Sequence, residues 1–451
     1  MHKHMLKWVM LAVILLLPLS GYAQPSDADE TVSLFEPSLR VGILINQQSV
    51  QVSADANFDL VDFGAAKVLA SFRARDLATV TMQDGVLAIN GAPVAAAGVD
   101  IVVKKDDALF YVEQLIHVNK RRYRGDISIH RTAGKSGLTV VNTLPIEQYL
   151  YGVIKNEISP EWPLEAVKAQ AVAARTYALA NYNKHKADGF DVCSTTDCQV
   201  YGGRESETPR SLEAVDATRG LVLLHSGKLI TAYFHSSSGG YTENSENVWS
   251  LPLPYLRGVA DFDQSSPNFK WEKKLTIAEL NQAIIKAGYN IGSLQAVELS
   301  PLGTPPVTSA DRGVSGRVKS VRLLGTSGSV QVSGTKLRSM LDLKSTLFDI
   351  STIAHGPKEL ALPVYSASDK AVPPPHITLS LSTGDNPNIR ATNGDPTDFV
   401  VITGFGWGHG LGLSQWGAKA MAEKAQPGNT EYFKDILKHY YQGVQIKKAY
   451  L

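Results

Sequence analysis

The chain has 451 residues, with 44 Lys+Arg set against 43 Asp+Glu. That near-neutral balance excludes the clustered positive charge on which general nucleic-acid binding draws, so no nucleic-acid partner is expected. A composition 44% hydrophobic and 19% charged excludes a disordered chain, and two cysteines are too few for a disulfide scaffold.

The first element is a targeting signal. Lys3 and Lys7 flank the start of the apolar run Trp8–Leu19, and Gly21-Tyr22-Ala23 supplies small residues for cleavage. A charged start, a short apolar stretch and a small-residue exit read as a secretory signal peptide over 1–23. The apolar run falls short of the roughly 20 residues that a membrane span needs. Export to the periplasm or cell envelope, with cleavage near Ala23, is therefore expected. Residues 24–37 are polar and acidic and read as a flexible leader.

From 38 to 141 short runs such as LRVGILI, ATVTM and DISIHR alternate with turn signals, which predicts a β-rich N-terminal lobe. Helices begin after it. Pro145 suits a first helical position, where its missing amide hydrogen costs nothing. Ile146, Leu150, Val153 and Ile154 then recur at helical spacing. Ser159-Pro160 ends that helix, and Pro163 opens an alanine-rich second one. A short helix near 211–217, strands in LVLLH and KLITAYFH, a helix over 277–287 and strands in VKSVRLLG and SVQVSG follow. Residues 355–398, rich in Pro, Ser, Asn and Asp, read as a surface insertion. The chain closes with a glycine run and an amphipathic helix, YFKDILKHYY. Together these predict an α+β fold, with the β-rich lobe beside a mixed α/β core over 142–451 that forms a groove.

Glu157 stands out chemically. It falls three residues after Ile154 and four after Val153, on the apolar face of its helix. Partial burial and the negative end of the helix dipole both disfavour its charge. Such a carboxyl keeps its proton near neutral pH, as a general acid must. Glu147 and Glu165 sit in first turns, where the dipole favours carboxylates, and read as structural.

The runs LPIEQYLYGVIKNE (Leu144 to Glu157) and PLEAVKAQAVAARTY (Pro163 to Tyr177) resemble the SpoIID/LytB family. The likeness extends through Asp191 to Cys193, Cys198 to Tyr201, Ser236 to Gly240, Leu253 to Leu256 and Gly404 to Gly417. The resemblance implies a SpoIID-type core acting as a peptidoglycan lytic transglycosylase on glycan strands stripped of peptide stems. It also implies that Glu157 is the single catalytic acid. Other relatives are amidase enhancers, so the alternative is a non-catalytic glycan-binding protein that recruits or stimulates an N-acetylmuramoyl-L-alanine amidase. One acid suffices for the enzyme, because the attacking C6 hydroxyl belongs to the sugar itself. The second carboxylate of a hydrolase is then dispensable, and no cofactor is required.

Five glycines alternate from Gly404 to Gly412. In an extended strand they share one face and leave it bare, so that a sugar ring can reach the backbone; tight packing against the alanine-rich helix is the competing reading. His409 can donate to substrate or orient Glu157, or serve structurally. Gln170 and Arg175 can hold acetamido or lactyl groups, or lock the helices to the β-lobe. Ser414 reads as a helix N-cap. With Tyr177, Ser237, Gly240, Gly408, Gly410 and Gln415, these complete the candidate substrate-binding set. The serines at 236–238 lack the G-x-S-x-G setting of a serine hydrolase.

Cys193 and Cys198 share one loop, and an oxidising exterior makes a disulfide available to them. The resemblance implies a structural zinc as an alternative, held in some members with a histidine just before the second cysteine. That residue here is Asp197, although aspartate can ligate zinc and His185 lies nearby. Free thiols are the third reading.

Overall fold

Alternation shapes the N-terminal lobe. In Ser49–Ala54 and Ala78–Gln83 every second residue is buried: Val50, Val52 and Ala54 from one, Ala78, Val80 and Met82 from the other. Strands that keep one face on a core and one in water read this way. The computed structural model describes residues 33, 35–83, 85–104, 115–307, 309–351, 386–392, 396 and 398–451, and the backbone alone of 352–353, 360–362 and 377–379. The fold is α+β. The expected signal peptide and most of 355–398 lie outside the described residues.

Two sheets form the lobe. The first has seven strands in the order Val192–Cys193, Ser38–Gln47, Leu138–Pro145, Asp126–Arg131, Gly98–Val103, Phe58–Asp62 and Val68–Phe72. The second has six, running from Arg121–Tyr123 through Ile116–Val118, Ser49–Ala54, Ala78–Gln83 and Val86–Ile89 to Ala92–Val94. The edge strand Val192–Cys193 pairs in parallel with Val41 and Gly42, so the cysteine loop hangs from the lobe's own sheet.

The described end of the acidic leader is docked rather than flexible. Ser33 bridges to Tyr450, the Pro37 carbonyl accepts from Ile146 N–H at 3.0 Å, and Glu36 pairs with Arg219 at 2.5 Å.

Helix α1 (Ile146–Tyr151) leaves the sheet at Pro145, and α2 (Ile154–Glu157) follows after Gly152 and Val153. The sequence predicts one helix here. The break occurs because Gly152 lies against Tyr201, where an added Cβ would stand 2.5 Å from the ring. Gly152 and Val153 instead make tight bonds to carbonyls three residues back.

Helix α3 (Leu164–Ala180) is buried on every side from Glu165 to Ala178, which explains its lack of an amphipathic stripe. Its alanines belong to one core cluster that takes in Val52, Phe58 and Leu144 from the lobe, Leu150 and Ile154, and Phe433 and Leu437 near the C-terminus. Helix α4 (Pro209–Ala217) carries a Thr208/Ser211 capping box, and the one-turn α5 (Glu246–Trp249) follows.

A second core forms from 270 onward. Helices α6 (Ile277–Lys286) and α7 (Gly334–Met340) cover a three-stranded and a four-stranded sheet. Trp271, Leu280, Leu294, Leu323, Leu337, Phe348 and Ile402 fill the space between. The central strand Phe399–Phe405 of the smaller sheet runs straight into the glycine series, so this lobe aims that segment at the first core. Helices α8 (Gln415–Glu423) and α9 (Phe433–Tyr440) return the chain to the first core. Among the described residues, no helix is long and apolar enough to cross a membrane.

Candidate active site

Glu157 ends α2 half-buried. Its Oε1 accepts the Val200 N–H at 2.9 Å, and no bond to Oε2 is seen among the described residues. Burial pushes the carboxyl above its usual range, while the Val200 amide pulls the other way. In the neutral acid the carbonyl oxygen takes the amide, so the proton belongs on Oε2, the oxygen free to give it up.

Val200 is held in place by its neighbours. Asn156 donates to the Val200 carbonyl at 3.2 Å and to the Gly152 carbonyl at 2.8 Å. Gln199 is buried and bridges Tyr149 Oη and the Ala174 carbonyl. Tyr201 Oη donates to Asn142 Oδ1 at 2.8 Å. The loop that contacts the acid is thus fixed to α1, α3 and the β-sheet together.

The same loop carries the cysteines, and they are free, with sulfurs 3.0 Å apart. A disulfide, expected from the compartment, is not formed; that bond would be about 2.05 Å. His185, Cys193, Asp197 and Cys198 each offer one donor atom, and these atoms lie within 4.8 Å of one another. His185 Nε2 is 3.1 Å from Asp197 Oδ2 and 3.5 Å from Cys198 Sγ. Two thiols, an imidazole and a carboxylate are a donor set that suits tetrahedral zinc. Asp188 stands 3.4 Å behind His185 Nδ1, where a metal-bound histidine usually finds its second carboxylate. The Cys193 thiol is lowered to about 5 by its hydrogen bond with Cys198, and Cys198 is raised in turn; the pair shares one proton.

The glycine series is not an extended strand. Regular pairing stops at Phe405, and Gly406, Gly408, Gly410 and Gly412 take φ values of +70°, +119°, +84° and +66°, the region that favours glycine. The face expected to lie bare is filled with protein. A Cβ on Gly406 would stand 2.5 Å from the Ser237 carbonyl and one on Gly408 2.7 Å from His235 Cβ, while those on Gly410 and Gly412 would land on the Arg317 guanidinium and the Tyr233 carbonyl. Gly410 is buried and shapes the chain, while Gly408 stays half-exposed although its Cβ position is filled. A period of two arises equally from a bare strand and from a run of left-handed turns, and only φ separates them. We expect Gly406→Ala to lower the denaturation midpoint by the equivalent of about 1–3 kcal/mol, since the opposing atom is backbone. An unchanged chemical-denaturation curve would contradict this packing.

His409 is committed as well. Its Nδ1 accepts Leu411 N–H at 3.0 Å, which leaves the ring proton on Nε2. Burial and the nearby Arg317 and Arg338 push it down to about 3, so it is neutral. It makes no bond to Glu157 among the described residues, and the orienting role falls to Val200. His409 packs instead among Tyr233, His235 and Trp249, with ring centroids 6.0, 5.4 and 5.0 Å away.

Other expected ligand residues are also spent internally. Arg175 is fully buried and forks onto Glu147 at 2.9 and 2.6 Å. Gln170 is buried with its Oε1 accepting from Gln415 Nε2 at 3.4 Å, while its own Nε2 has no partner among the described residues. Ser237 donates to Asp263, and Ser414 accepts Gly417 N–H as the N-cap of α8. Gly240 donates to Asp263 Oδ1 at 2.9 Å, and a Cβ there would meet the Phe269 ring at an ordinary contact distance of 3.8 Å. Tyr177 is buried and meets Tyr233 and Phe234 edge-on at 5.8 and 6.3 Å. The sequence reading missed Val200, Tyr233, Trp249 and Arg317. The last is buried in the second lobe and donates to the Ser238 carbonyl at 2.8 Å.

A family model described as Stage II sporulation protein matches residues 134–225, which hold Glu157, α3 and the cysteine loop. A domain of unknown function, DUF8618, matches 243–364, a span that includes α5 and much of the second lobe. An uncharacterized protein of Brachyspira hyodysenteriae is 34% identical over 351 residues, covering 77% of this chain and 78% of its own. The amidase enhancer of Bacillus subtilis is 34% identical over 315 residues, 66% of this chain but 40% of that relative's length. Stage II sporulation protein D of Bacillus subtilis is 29% identical over 339 residues, with 72% of this chain and 79% of its own covered.

Proposed function

The chain belongs to the SpoIID/LytB family, which is linked to peptidoglycan processing, and from that premise we propose an exported peptidoglycan lytic transglycosylase. It cleaves glycan strands, stripped of their peptide stems, between N-acetylmuramic acid and N-acetylglucosamine. The observation that carries this reading is Glu157, a half-buried carboxyl raised by burial, with one oxygen held by Val200 and the other free among the described residues. Its Oε2 proton passes to the glycosidic oxygen as the bond from C1 breaks. The carboxylate so formed takes the proton of the sugar's C6 hydroxyl, and O6 closes onto C1 as a 1,6-anhydro ring. Water is neither needed nor consumed. Mass spectrometry of denuded glycan treated with the full chain should find 1,6-anhydro ends; reducing ends alone would overturn the proposal.

The 34% identity to an amidase enhancer favours a second reading. In it the chain binds glycan and stimulates an N-acetylmuramoyl-L-alanine amidase without cutting the strand. Amidase stimulation with no 1,6-anhydro product would establish it.

His185, Cys193, Asp197 and Cys198 would hold a structural zinc, which supplies a fixed charge that ties the loop together. This chain's own contribution is to hold Val200 against the acid. We expect about one zinc per chain by elemental analysis, lost in Cys198→Ser, with a lower melting temperature after chelation. Metal-free protein that melts where the untreated protein does would remove zinc from the account.

A further inference from the structure

Trp249 is 43% exposed although its ring is packed on one side. Tyr233 lies 4.3 Å away by ring centroid and His409 5.0 Å. Leaving that much indole in water forgoes burial worth on the order of 1 kcal/mol or more, so its rigid mounting is informative. Ser245 Oγ donates to the Leu251 carbonyl and accepts Leu253 N–H, each at 2.7 Å. Arg257 forks onto Glu246 at 2.9 and 2.5 Å. Ser250 takes φ +64° to stop α5 directly after the ring. These contacts hold an open aromatic face in one orientation.

The rings lead toward α3, which helps to hold the loop that contacts the acid. From Trp249 the rings step through Tyr233 to Tyr177. Tyr177 lies on α3 three residues after Ala174, whose carbonyl accepts from Gln199, the neighbour of the Val200 that donates to Glu157. Because His409 spends Nδ1 on the backbone and stays neutral, this wall offers flat apolar surface and little acid–base chemistry.

We propose that Trp249 is a sugar-stacking subsite, where a pyranose ring of the glycan strand away from the scissile bond lies on the indole. The proposal deepens the transglycosylase reading and rests on it for the identity of the polymer. A β-1,4-linked N-acetylhexosamine with equatorial substituents presents its axial C–H groups as an apolar face. Such a face matches an indole, whereas an axial hydroxyl interrupts it. Trp249 thus selects equatorial sugars and positions the strand.

Binding separates this subsite from catalysis. Calorimetric titration of full-length protein in a Glu157→Gln background with denuded glycan, and with an N-acetylglucosamine oligomer, keeps the ligand intact. Trp249→Ala should weaken binding about tenfold or more. Trp249→Leu, which retains apolar bulk without the flat ring, should weaken it similarly, and Trp249→Phe should restore most of it. Leu251→Ala, beside it and 61% exposed, should bind unchanged. Equal affinity of Trp249→Leu and its Trp249 parent, or an equal loss in Leu251→Ala, would overturn the subsite. Missing 1,6-anhydro ends would remove the enzyme reading while leaving these affinities to stand on their own.

Discussion

Glu157→Gln should lower turnover of denuded glycan on the order of a thousandfold, with little change in glycan affinity. Glutamine keeps the oxygen that accepts Val200 N–H at 2.9 Å and loses only the transferable proton. The pH dependence follows from the raised carboxyl. Cleavage needs the protonated acid, so activity should fall as pH rises through the folded pKa, which lies above the usual glutamate range. Stability has the same sign. A group whose folded pKa exceeds its unfolded one contributes fully below the unfolded value and loses that contribution as pH rises through the folded value. Above that window the wild-type chain holds a charge in a site that disfavours it, and glutamine does not. The variant should therefore melt at or above wild type at pH 8, and the advantage should fade toward pH 4. A variant that cuts glycan at the wild-type rate, or melts well below it at pH 8, would show that the carboxyl is not the buried acid described.

The acid was legible because local signals agree on it. Val153 and Ile154 mark the buried face, Ser159-Pro160 marks the stop, and Glu157 falls between them. Its partner was not legible, since Val200 contributes a backbone amide and carries no chemical signature of its own. Trp249 was hidden in the opposite sense. An isolated tryptophan in a polar loop looks like any anchor until its exposure is known. The second core was missed because its strands, such as Ser320–Gly325 and Phe399–Phe405, look in sequence like a continuation of the first. The residues that seal it to the first core, such as Glu243 accepting from Val314 and Ser315, are some seventy positions apart in the chain.

Arg175 shows the limit most directly, and it carries the second large prediction. A cation on the alanine-rich helix that follows the acid invites a ligand role, because its counter-charge cannot be seen locally. That counter-charge is Glu147, on α1. Its carboxylate takes both prongs of the Arg175 fork as well as Gly220 N–H at 3.0 Å and the Tyr450 hydroxyl. Arg175 also donates to the Leu221 and Val215 carbonyls at 3.1 and 3.2 Å. The network joins α1, α3, the end of α4 and the C-terminus with both charges removed from water. Arg175→Ala should cost about 3–5 kcal/mol by stranding a buried carboxylate, a large part of the margin that holds a typical domain together. Arg175→Lys should recover little, because an ammonium cannot reproduce the planar fork. The double replacement Glu147→Gln/Arg175→Met should be more stable than Arg175→Ala, since it removes both charges at once. A ligand-binding arginine behaves otherwise. In that case Arg175→Lys melts like wild type and shows only a raised KM, so thermal melts read beside glycan kinetics decide between the two roles.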